Sequence, residues 1–247
     1  MHPLFSIITI TYNAAGVLQP TLNSVKMQTF SDFEQLVIDG SSRDGTVPMA
    51  DNAGISQLNV YSEPDKGLYD AMNKGIRRAK GKYLIFLNAG DAFADERVLE
   101  RLAKCAGSQP DIIYGQTQLV NAARKVVGMR HLTAPEHLTA DSFKHGMLVC
   151  HQAFVARRDI VGEYDLSYRF SSDYDWCIRC LLRSKSNVYV GDTPIISYLT
   201  DGLTDKNHKA SLKERFRIMC HYYGCLPTVV RHLSFIPRYL KQKVAKL

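Results

Sequence analysis

Short apolar runs alternate with helix-spaced segments along the first half of the chain. Five runs are rich in Ile, Val, Phe, Tyr and Thr, which predicts β-strands: FSIITITY (5–12), FEQLVID (33–39), QLNVYS (57–62), KYLIFLN (82–88) and DIIYGQT (111–117). Four intervening segments place apolar residues at helical spacing: residues 16–28, 46–53, 68–79 and 96–106. Strands joined by helices need crossover connections, so the pattern predicts an α/β fold with a mostly parallel central sheet flanked by helices.

The second half of the chain is less regular. Weak strand patterns occur at 125–130 and 152–156, and helices are predicted at 172–183 and from about 209 to 223. In the first of these helices Ser171 or Ser172 can cap the N-terminus. A buried stripe is predicted for the same helix at Tyr174, Ile178, Leu181 and Leu182.

Polar residues follow several of the predicted strands. In open α/β sheets ligands bind where the strands end at their carboxyl edge. We therefore expect binding residues among the side chains that follow the first four strands: Thr11, Tyr12, Asn13, Asp39, Glu63, Asp65, Asn88 and Asp91.

Composition limits the class of protein. The chain has 247 residues, of which 45% are hydrophobic and 22% charged, as in a globular protein of one large or two small domains. Apolar runs are strand-sized and fall short of the roughly 18 to 20 residues of a membrane-spanning helix. The N-terminus, MHPLFSIITITYN, lacks the pattern of a secretory signal, so we expect a cytoplasmic protein.

Six cysteines lie mostly in apolar segments. Cys177 and Cys180 form a C-x-x-C that could supply half of a zinc site. Cys220 and Cys225 are spaced by four residues and lack a ligand-rich turn, so core packing of reduced thiols is the favoured interpretation.

The net charge of +7 is concentrated at the C-terminus. Residues 206–247 contain ten Lys and Arg and one acid, whereas residues 1–205 contain 21 basic and 23 acidic residues. An apolar stripe in this basic tail spans an arc of about 80°: Val229, Leu233, Ile236, Leu240, Val244 and Leu247. This pattern favours a helix on an anionic membrane surface, kinked or displaced by Pro237. The alternatives are a helix packed on the main domain and, less favoured because stacking aromatics are few, a nucleic-acid-binding tail.

A parallel sheet with an acid after its second strand also suggests a dinucleotide-binding fold. The first turn reads TYNAAG, however, and lacks the G-x-G-x-x-G that lets the backbone approach a pyrophosphate. The same turn lacks the glycine- and arginine-rich phosphate loop expected of a nucleotidyltransferase.

Three segments carry candidate chemistry. In SEPDKGLYDAMNKGI, Leu68, Met72 and Ile76 are predicted to face the sheet, and a polar row lies on another face of the helix: Asp70, Asn73 and Arg77. FLNAGD puts a carboxylate on a turn after a buried strand, where a divalent cation could bridge to a diphosphate; a plain turn is the alternative. FSSDYDWCIRC puts an acid in the first turn of a helix, where the dipole favours its ionised form.

Together these segments resemble the family 2 inverting glycosyltransferases of GT-A fold, and specifically their bacterial exopolysaccharide, colanic-acid-type branch. The resemblance covers residues 5 to about 183, with a weaker echo in DGLT at 201–204. The motifs occur in the family's order and spacing: SIITITYN, LVIDGSSRDGT, EPDKGLYDAMNKGI, YLIFLNAGD, CHQAFVARR and SSDYDWCIR.

The resemblance implies roles for individual residues. Thr11, Tyr12 and Asp39 match positions that hold the nucleotide base and ribose. The nucleotide-sugar set also includes Asn13, Asp65, Lys66, Asp70 and Asn88. Asp91 matches the end of the acidic motif that coordinates Mg²⁺ or Mn²⁺ on the diphosphate. Asp173 matches the general base, and His151 and Gln152 match a region near the donor sugar or acceptor.

Two departures from the family pattern leave questions open. Many relatives carry a run such as DSDD, whereas this chain has Asn88, Ala89, Gly90 and Asp91, which leaves one carboxylate for the metal. The acid pair often written ED appears as Ser172 and Asp173, so the base lies between Asp173, which is favoured, and Asp175.

The function that the resemblance implies is inverting transfer of a hexose from a nucleotide-sugar, UDP-linked by preference, to a saccharide acceptor in cell-surface polysaccharide synthesis. A polyprenyl-linked acceptor is permitted, and would suit docking on the inner face of the cytoplasmic membrane. The expected organisation is a GT-A domain over 1–205, with a nucleotide-binding half at 1–118 and an acceptor half at 119–205, followed by a basic helical tail at 206–247. A nucleotide-sugar-binding module without transfer activity is the alternative from another class.

Overall fold

A computed structural model of the protein describes residues 2–200 and 208–232. Its strands are β1 Phe5–Thr11, β2 Phe33–Asp39, β3 Leu58–Ser62, β4 Tyr83–Phe86, β5 Ala92–Phe93, β6 Ile112–Tyr114, β7 Thr117–Val120, β8 Val126–Met129, β9 Phe154–Arg157, β10 Asn187–Tyr189 and β11 Ile196–Leu199. Its helices are α1 Ala15–Lys26, α2 Thr46–Asp51, α3 Leu68–Arg78, α4 Val98–Ala106, α5 Ser172–Arg183 and α6 His208–Tyr223, and residues 225–232 are also helical. Short 3₁₀ helices span Ala140–His145 and His151–Ala153.

In the described part of the chain the main sheet has seven strands in the order β10-β6-β9-β4-β1-β2-β3. The neighbouring pairs are parallel except at β9, which runs antiparallel to both β4 and β6. Every residue of β1 is buried, as expected for a central strand covered on both faces. The α/β class predicted from the sequence is confirmed.

A second sheet, with the order β5-β11-β7-β8, was not predicted from the sequence. The run at 111–117 divides between the two sheets, because β6 ends at Tyr114 and β7 begins at Thr117. Gly115 lies at this division, where an added Cβ would be 3.1 Å from the Ile195 side chain. Two-residue β5 is too short to leave a periodic pattern in the sequence.

Two helix faces differ from the prediction. Leu68, the first residue of α3, is 41% exposed, and Leu182 at the end of α5 is 61% exposed. Asn73, predicted on a polar row of α3, is buried. Its side chain donates to the Tyr164 carbonyl at 3.0 Å and accepts from the Tyr164 N–H at 2.7 Å, so these bonds replace the water that an exposed amide would bind.

The N-terminus of α5 is not capped by a serine side chain. Ser171 is the N-cap, but its hydroxyl donates to the Ser211 carbonyl of α6, and the Ser172 hydroxyl donates to the Asp165 carbonyl. Helix α6 also buries Ile218 and Met219 in the main core. It is therefore packed on the domain that precedes it.

The structure shows the environment of Cys177 and Cys180 but describes only part of the predicted tail. Cys177 and Cys180 are free thiols buried in the core, and no cluster of three metal-ligating His, Cys, Asp or Glu side chains occurs within residues 2–200 and 208–232. No helix in those ranges is long and apolar enough to cross a bilayer. The DGLT segment and most of the predicted amphipathic tail, at 233–247, lie outside the described residues.

Gly75 lets α3 lie close to the sheet. A Cβ added there would be 2.5 Å from Cγ2 of Ile8, so we expect Gly75→Ala to lower the free energy of unfolding by about 1–3 kcal/mol through overpacking. Urea unfolding measures the loss. Gly16→Ala in α1 is the matched control, because no atom lies within 4 Å of its added Cβ, and it should be neutral or stabilising. Equal effects of the two substitutions would contradict this packing argument.

Candidate active site

The register of the main sheet places three hydroxyl and carboxyl side chains in one row. Thr11 pairs with Asp39, and Asp39 pairs with Ser62, at the carboxyl ends of β1, β2 and β3. The Thr11 hydroxyl donates to Asp39 Oδ1 at 2.9 Å, and the Ser62 hydroxyl donates to Oδ2 at 2.7 Å. This row forms one end of the candidate site.

Asp39 is buried and ionised. The Ser42 N–H also donates to its Oδ2 at 2.8 Å, and the Ser42 hydroxyl donates to Oδ1. Burial by itself raises the pKa of Asp39, but the hydrogen bonds from Ser42, Ser62 and Thr11 outweigh it, so the pKa lies below the ordinary value. The four donors hold the carboxylate in a fixed orientation.

The residues after β1 shape the surface beside this row. Tyr12 is 67% exposed. Asn13 adopts a φ of 47°, and its side-chain oxygen accepts a hydrogen bond from the Arg43 N–H at 2.9 Å. The Asn13 N–H donates to the Ser42 hydroxyl, so Asn13 joins the two loops that follow β1 and β2.

Asp65 lies against the same surface. An added Cβ at Gly40 would clash with the Asp65 carboxylate and lie 3.3 Å from the Tyr12 ring, so glycine permits this close approach. Asp65 Oδ1 accepts from the Gly67 N–H at 2.8 Å. Asp70 accepts from the backbone N–H of Lys66 at 3.0 Å, and the Lys66 side chain is exposed. Asp65 and Asp70 thus fix the loop that carries Lys66.

Asp91 lies on the turn after β4 and is 5% exposed. Its Oδ1 accepts from the Leu199 N–H at 3.0 Å, and its Oδ2 accepts from the Gln152 amide at 2.8 Å. Burial raises the pKa of Asp91 to about 7, although these two donors and the nearby Arg124 guanidinium lower it. Arg124 itself donates to the Gly90 carbonyl at 2.6 Å.

His151 belongs to a buried aromatic cluster. Its ring centre is 4.9 Å from Phe86 and 5.7 Å from Trp176, and its Nε2 shares a hydrogen bond of 2.5 Å with the Tyr164 hydroxyl. Burial lowers the pKa of His151 to about 4, with a smaller opposing effect of Asp173, so the imidazole is neutral at pH 7.

Asp173 is connected to this cluster through Tyr69. The Tyr69 hydroxyl donates to Asp173 Oδ1 at 3.0 Å, and the Tyr174 N–H donates to the same oxygen at 2.9 Å. Tyr69 stacks on Tyr164, which stacks on Trp176, with centres 5.5 and 5.1 Å apart. Burial and then the Asp173 charge raise the pKa of Tyr69, so Tyr69 remains a hydrogen-bond donor.

Asp175 has a different environment, because residues two apart on a helix project in different directions. It is buried; its Oδ2 accepts from Arg179 Nε and its Oδ1 accepts from the Tyr222 hydroxyl, each at 2.7 Å. Asp175, Arg179 and Tyr222 line a cavity of about 440 Å³ that neither Asp39, Asp91 nor Asp173 lines. Asp175 therefore links α5 to α6.

Comparisons with known proteins identify the family to which the chain belongs. The sequence profile of "Glycosyl transferase family 2" matches residues 6–165. The chain belongs to glycosyltransferase family 2. A "PGL/p-HBAD biosynthesis glycosyltransferase" of Mycobacterium bovis is 36% identical over 187 residues, which is 72% of this chain and 70% of that protein.

Solved structures match the fold of this family 2 glycosyltransferase. S. aureus TarS 1-349 in complex with UDP-GlcNAc gives a TM-score of 0.71 at 17% identity over 94% of this chain and 73% of that one. The mannosyltransferase PcManGT from Pyrobaculum calidifontis, in complex with GDP-Man and Mn2+, gives a TM-score of 0.63 at 12% identity over 100% of this chain and 80% of that one. The GT-A fold is confirmed; the colanic-acid-type branch stays a prediction.

The turn after β4 fits the divalent cation that the GT-A resemblance implies. Asn88 Oδ1 is buried and accepts no hydrogen bond from the described residues, and Asp91 offers the remaining lone pairs of its carboxylate. Amide and carboxylate oxygens are ligands for Mg²⁺ and Mn²⁺. Because at most two protein ligands are available on this turn, we expect most ligands to come from a diphosphate and water.

Three residues of the candidate site were missed in the sequence. Tyr69 lies inside the motif GLYDAMNKG but resembles an ordinary core aromatic there. Tyr164 and Arg124 lie in the irregular region that precedes α5, where no periodic pattern marks them. Only the fold brings Arg124 to the Gly90 carbonyl and Tyr164 to His151.

His151 should make the stability of the glycosyltransferase depend on pH. In the unfolded chain the His151 imidazole binds a proton near pH 6.5, whereas in the folded chain it does so only near pH 4. Its contribution to the free energy of unfolding is therefore complete above pH 6.5 and is lost as the pH falls through 4. The total loss should be about 3 kcal/mol. Urea unfolding from pH 4 to 8 measures it. His151→Gln should flatten this part of the profile and exposed His137→Gln should not; identical profiles would contradict the assignment.

Proposed function

We propose that this family 2 glycosyltransferase moves a hexose, with inversion, from a UDP-sugar to a saccharide hydroxyl in cell-surface polysaccharide synthesis. The observation that carries the proposal is the environment of Asp173. It is a partly buried carboxylate whose two described hydrogen bonds both end on Oδ1, at the edge of an aromatic cluster. An acceptor hydroxyl can approach the other oxygen.

Asp173 is proposed as the general base. A sugar hydroxyl is a weak nucleophile near pH 7, and a carboxylate within about 3 Å removes its proton as the new bond forms. Tyr69 fixes the direction of the carboxylate by its 3.0 Å hydrogen bond. Asp175 is disfavoured as the base because Arg179 and Tyr222 occupy both of its oxygens.

The donor is proposed to lie along the carboxyl edge of the sheet, with its nucleoside near Thr11, Tyr12 and Asp39. Exposed Tyr12 provides an aromatic face for a base, and Asp39 is ionised and oriented. The structural neighbour TarS, which is in complex with UDP-GlcNAc, supports a UDP-sugar, although at 17% identity it supports the class of ligand and no particular sugar.

The leaving diphosphate carries negative charge that the chain can stabilise. Lys66 is exposed on a loop fixed by Asp65 and Asp70, and the Arg124 guanidinium lies beside Asp91. A cation held by Asp91 and Asn88 would supply further electrostatic stabilisation of the leaving oxygen.

A donor panel tests the proposal. Purified protein is incubated with UDP-, GDP- and dTDP-sugars and an extract of saccharide acceptors, and nucleoside diphosphate release is measured with Mn²⁺, Mg²⁺ or EDTA. We expect release from a UDP-sugar only when metal is present, and NMR of the product should show the inverted anomer. The alternative is a nucleotide-sugar-binding module without transfer activity, which is suggested by the single carboxylate on the turn after β4. Such a module would bind UDP in the same samples but would release no nucleoside diphosphate from a donor.

We also propose that the C-terminal segment docks on anionic membrane surfaces, where a polyprenyl-linked acceptor would lie. Within the helical residues 225–232, Leu226, Val229 and Val230 are exposed at positions i, i+3 and i+4, so they share one face. The following residues, 233–247, add four of the tail's basic residues without an acid. Each basic residue near such a surface contributes about 1 kcal/mol.

Vesicle co-sedimentation tests the membrane proposal. Full-length protein should sediment with vesicles of phosphatidylglycerol and phosphatidylcholine but not with phosphatidylcholine alone. Replacing Leu226, Val229 and Val230 together by Gln should leave most of the protein in the supernatant, whereas Leu166→Gln, at a site that is also 50% exposed, should not. Equal recovery of all three proteins with the anionic vesicles would contradict the proposal.

A further inference from the structure

Arg215 lies on α6, beside the N-terminal turn of α5 that carries Asp173. The carbon at the centre of its guanidinium is 5.8 Å from the centre of the Tyr174 ring. Tyr174 follows Asp173 in the chain, and its N–H donates to the Asp173 carboxylate. The charge of Arg215 also acts on Tyr69, whose hydroxyl donates to Asp173, so Arg215 lies on the side of the site where Asp173 lies.

The hydrogen-bonding capacity of Arg215 is unused within the described residues. An arginine has five N–H donors, and neither a hydrogen bond nor an ion pair of Arg215 occurs there; its Nε is buried without an acceptor. The adjacent Glu214 does not supply one, because its two oxygens accept from the N–H groups of Arg169 and Phe170. A buried donor without a partner is unfavourable, so the guanidinium is suited to an acceptor that the described residues do not provide.

Contact with the Tyr174 ring explains how the charge is tolerated but leaves the donors unused. A cation over an aromatic face is attracted by the electrons of the ring, and its N–H groups stay available for hydrogen bonds. Arg179, on α5, provides the contrast: its Nε donates to Asp175 and its Nη2 to the Glu163 carbonyl. Arg179 is a structural arginine, whereas Arg215 has no such bonds in the described chain.

Arg124 and Arg215 place positive charge at two different parts of the candidate site. The charge of Arg124 acts on Asp91, which lies on the turn after β4. The charge of Arg215 acts on Tyr69, the tyrosine that donates to Asp173. In the proposed reaction the leaving diphosphate lies toward Asp91 and the attacking hydroxyl toward Asp173. An anion bound by Arg215 would accordingly belong to the acceptor.

We propose that Arg215 binds an oxyanion of the acceptor, so that the acceptor is a negatively charged saccharide with a phosphate or a carboxylate near its attacking hydroxyl. The inference rests on the proposed function, which it deepens by naming the class of acceptor. A guanidinium suits both anions, because its fork of N–H groups can donate two parallel hydrogen bonds to either. Arg215 is in this view a substrate-binding residue that also favours acceptors by charge.

Binding to the UDP-saturated full-length protein tests this inference. Three probes are titrated by calorimetry: glucose 1-phosphate, glucuronate and glucose. Galactose 1-phosphate and mannose 1-phosphate are titrated as well, so that an effect of the sugar can be separated from an effect of the phosphate. The wild type should bind a sugar phosphate or the uronate at least tenfold more tightly than glucose. Preference for the phosphate or for the uronate identifies the source of the oxyanion.

Arg215→Gln should lower the affinity for the preferred anionic probe by about tenfold or more, while the affinities for UDP and for glucose stay unchanged. Arg215→Lys, which keeps the charge but loses the fork, should restore part of it. Arg217→Gln is the matched control, because Arg217 lies two residues away on α6 and is exposed. A merely structural role of Arg215 would reduce the affinity for UDP and all probes together.

Three outcomes would overturn the inference: no anion preference in the wild type, an unchanged preference in Arg215→Gln, or a loss of UDP affinity in Arg215→Gln that equals the loss of anion affinity.

The proposed function is tested separately, by the donor panel. If the wild type releases no nucleoside diphosphate from any donor, transfer is disproved whatever the probes show, and if it does release one, the titrations judge Arg215 alone.

Discussion

Asp173→Asn is expected to lower kcat for sugar transfer by about a hundredfold to ten-thousandfold, because it removes the proposed proton acceptor. The folded structure should persist, since the asparagine oxygen can still accept the hydrogen bonds that Tyr69 and Tyr174 donate to Oδ1 of the aspartate. Donor affinity should change little. Nucleoside diphosphate release and calorimetric titration with UDP measure the two quantities on the same preparation.

Asp175→Asn is the matched control for this experiment. It lies two residues away on α5, and its oxygens are bound by Arg179 and Tyr222. Removing its charge should weaken a buried ion pair and lower the free energy of unfolding, yet transfer by the folded fraction should continue. If Asp173→Asn retains most of its turnover and Asp175→Asn loses it, the base is Asp175, and the proposed geometry of attack is wrong.

Trp176→Ala is expected to have the largest effect on stability, with a loss of about 3–5 kcal/mol. The indole is fully buried, its ring stacks on Tyr164, and its N–H donates to the Gly162 carbonyl at 2.8 Å. Phe86 and Phe154 contact it edge-on, so truncation would leave a cavity that neighbouring rings cannot fill without moving. Because the chain has a single tryptophan, urea unfolding is followed by circular dichroism.

Trp176→Phe separates the two contributions of the indole. It keeps an aromatic ring beside Tyr164 but loses the hydrogen bond to Gly162, so its cost should be clearly smaller than that of the alanine variant. The stack Tyr69, Tyr164 and Trp176 also supports the tyrosine that orients Asp173. Reduced kcat in folded Trp176→Phe would show that the stack positions the base, whereas a loss below about 1 kcal/mol in Trp176→Ala would contradict the packing argument.

Much of the fold could be read from local pattern. The runs that became β1, β2 and β3 were predicted within one residue at each end, and α5 at its observed bounds, because each has a period of hydrophobic residues long enough to recognise. The family resemblance then pointed to the polar residues at the strand ends. Their order along the chain was visible; their distances from one another were not.

Elements with short or irregular patterns were missed. Strands β5 and β10 have two and three residues, and β11 was not separated from its surroundings. Asn73 was placed on a polar row of its helix, with Asp70 and Arg77, because its hydrophilic side chain fits that spacing. A pairing partner ninety-one residues away, Tyr164, makes its burial favourable, and such a partner cannot be inferred from spacing within one helix.

The sequence by itself determined the α/β class, most strands of the parallel half and the identity of the candidate carboxylates, because hydrophobic period and residue type are local properties. Tertiary structure alone decided their environments: four donors ionise Asp39, burial raises the pKa of Asp91 to about 7, and Tyr69 orients Asp173. Burial, charge and hydrogen bonding at each of these sites come from residues distant in the chain. A site's chemistry therefore depends on contacts that only the folded chain creates.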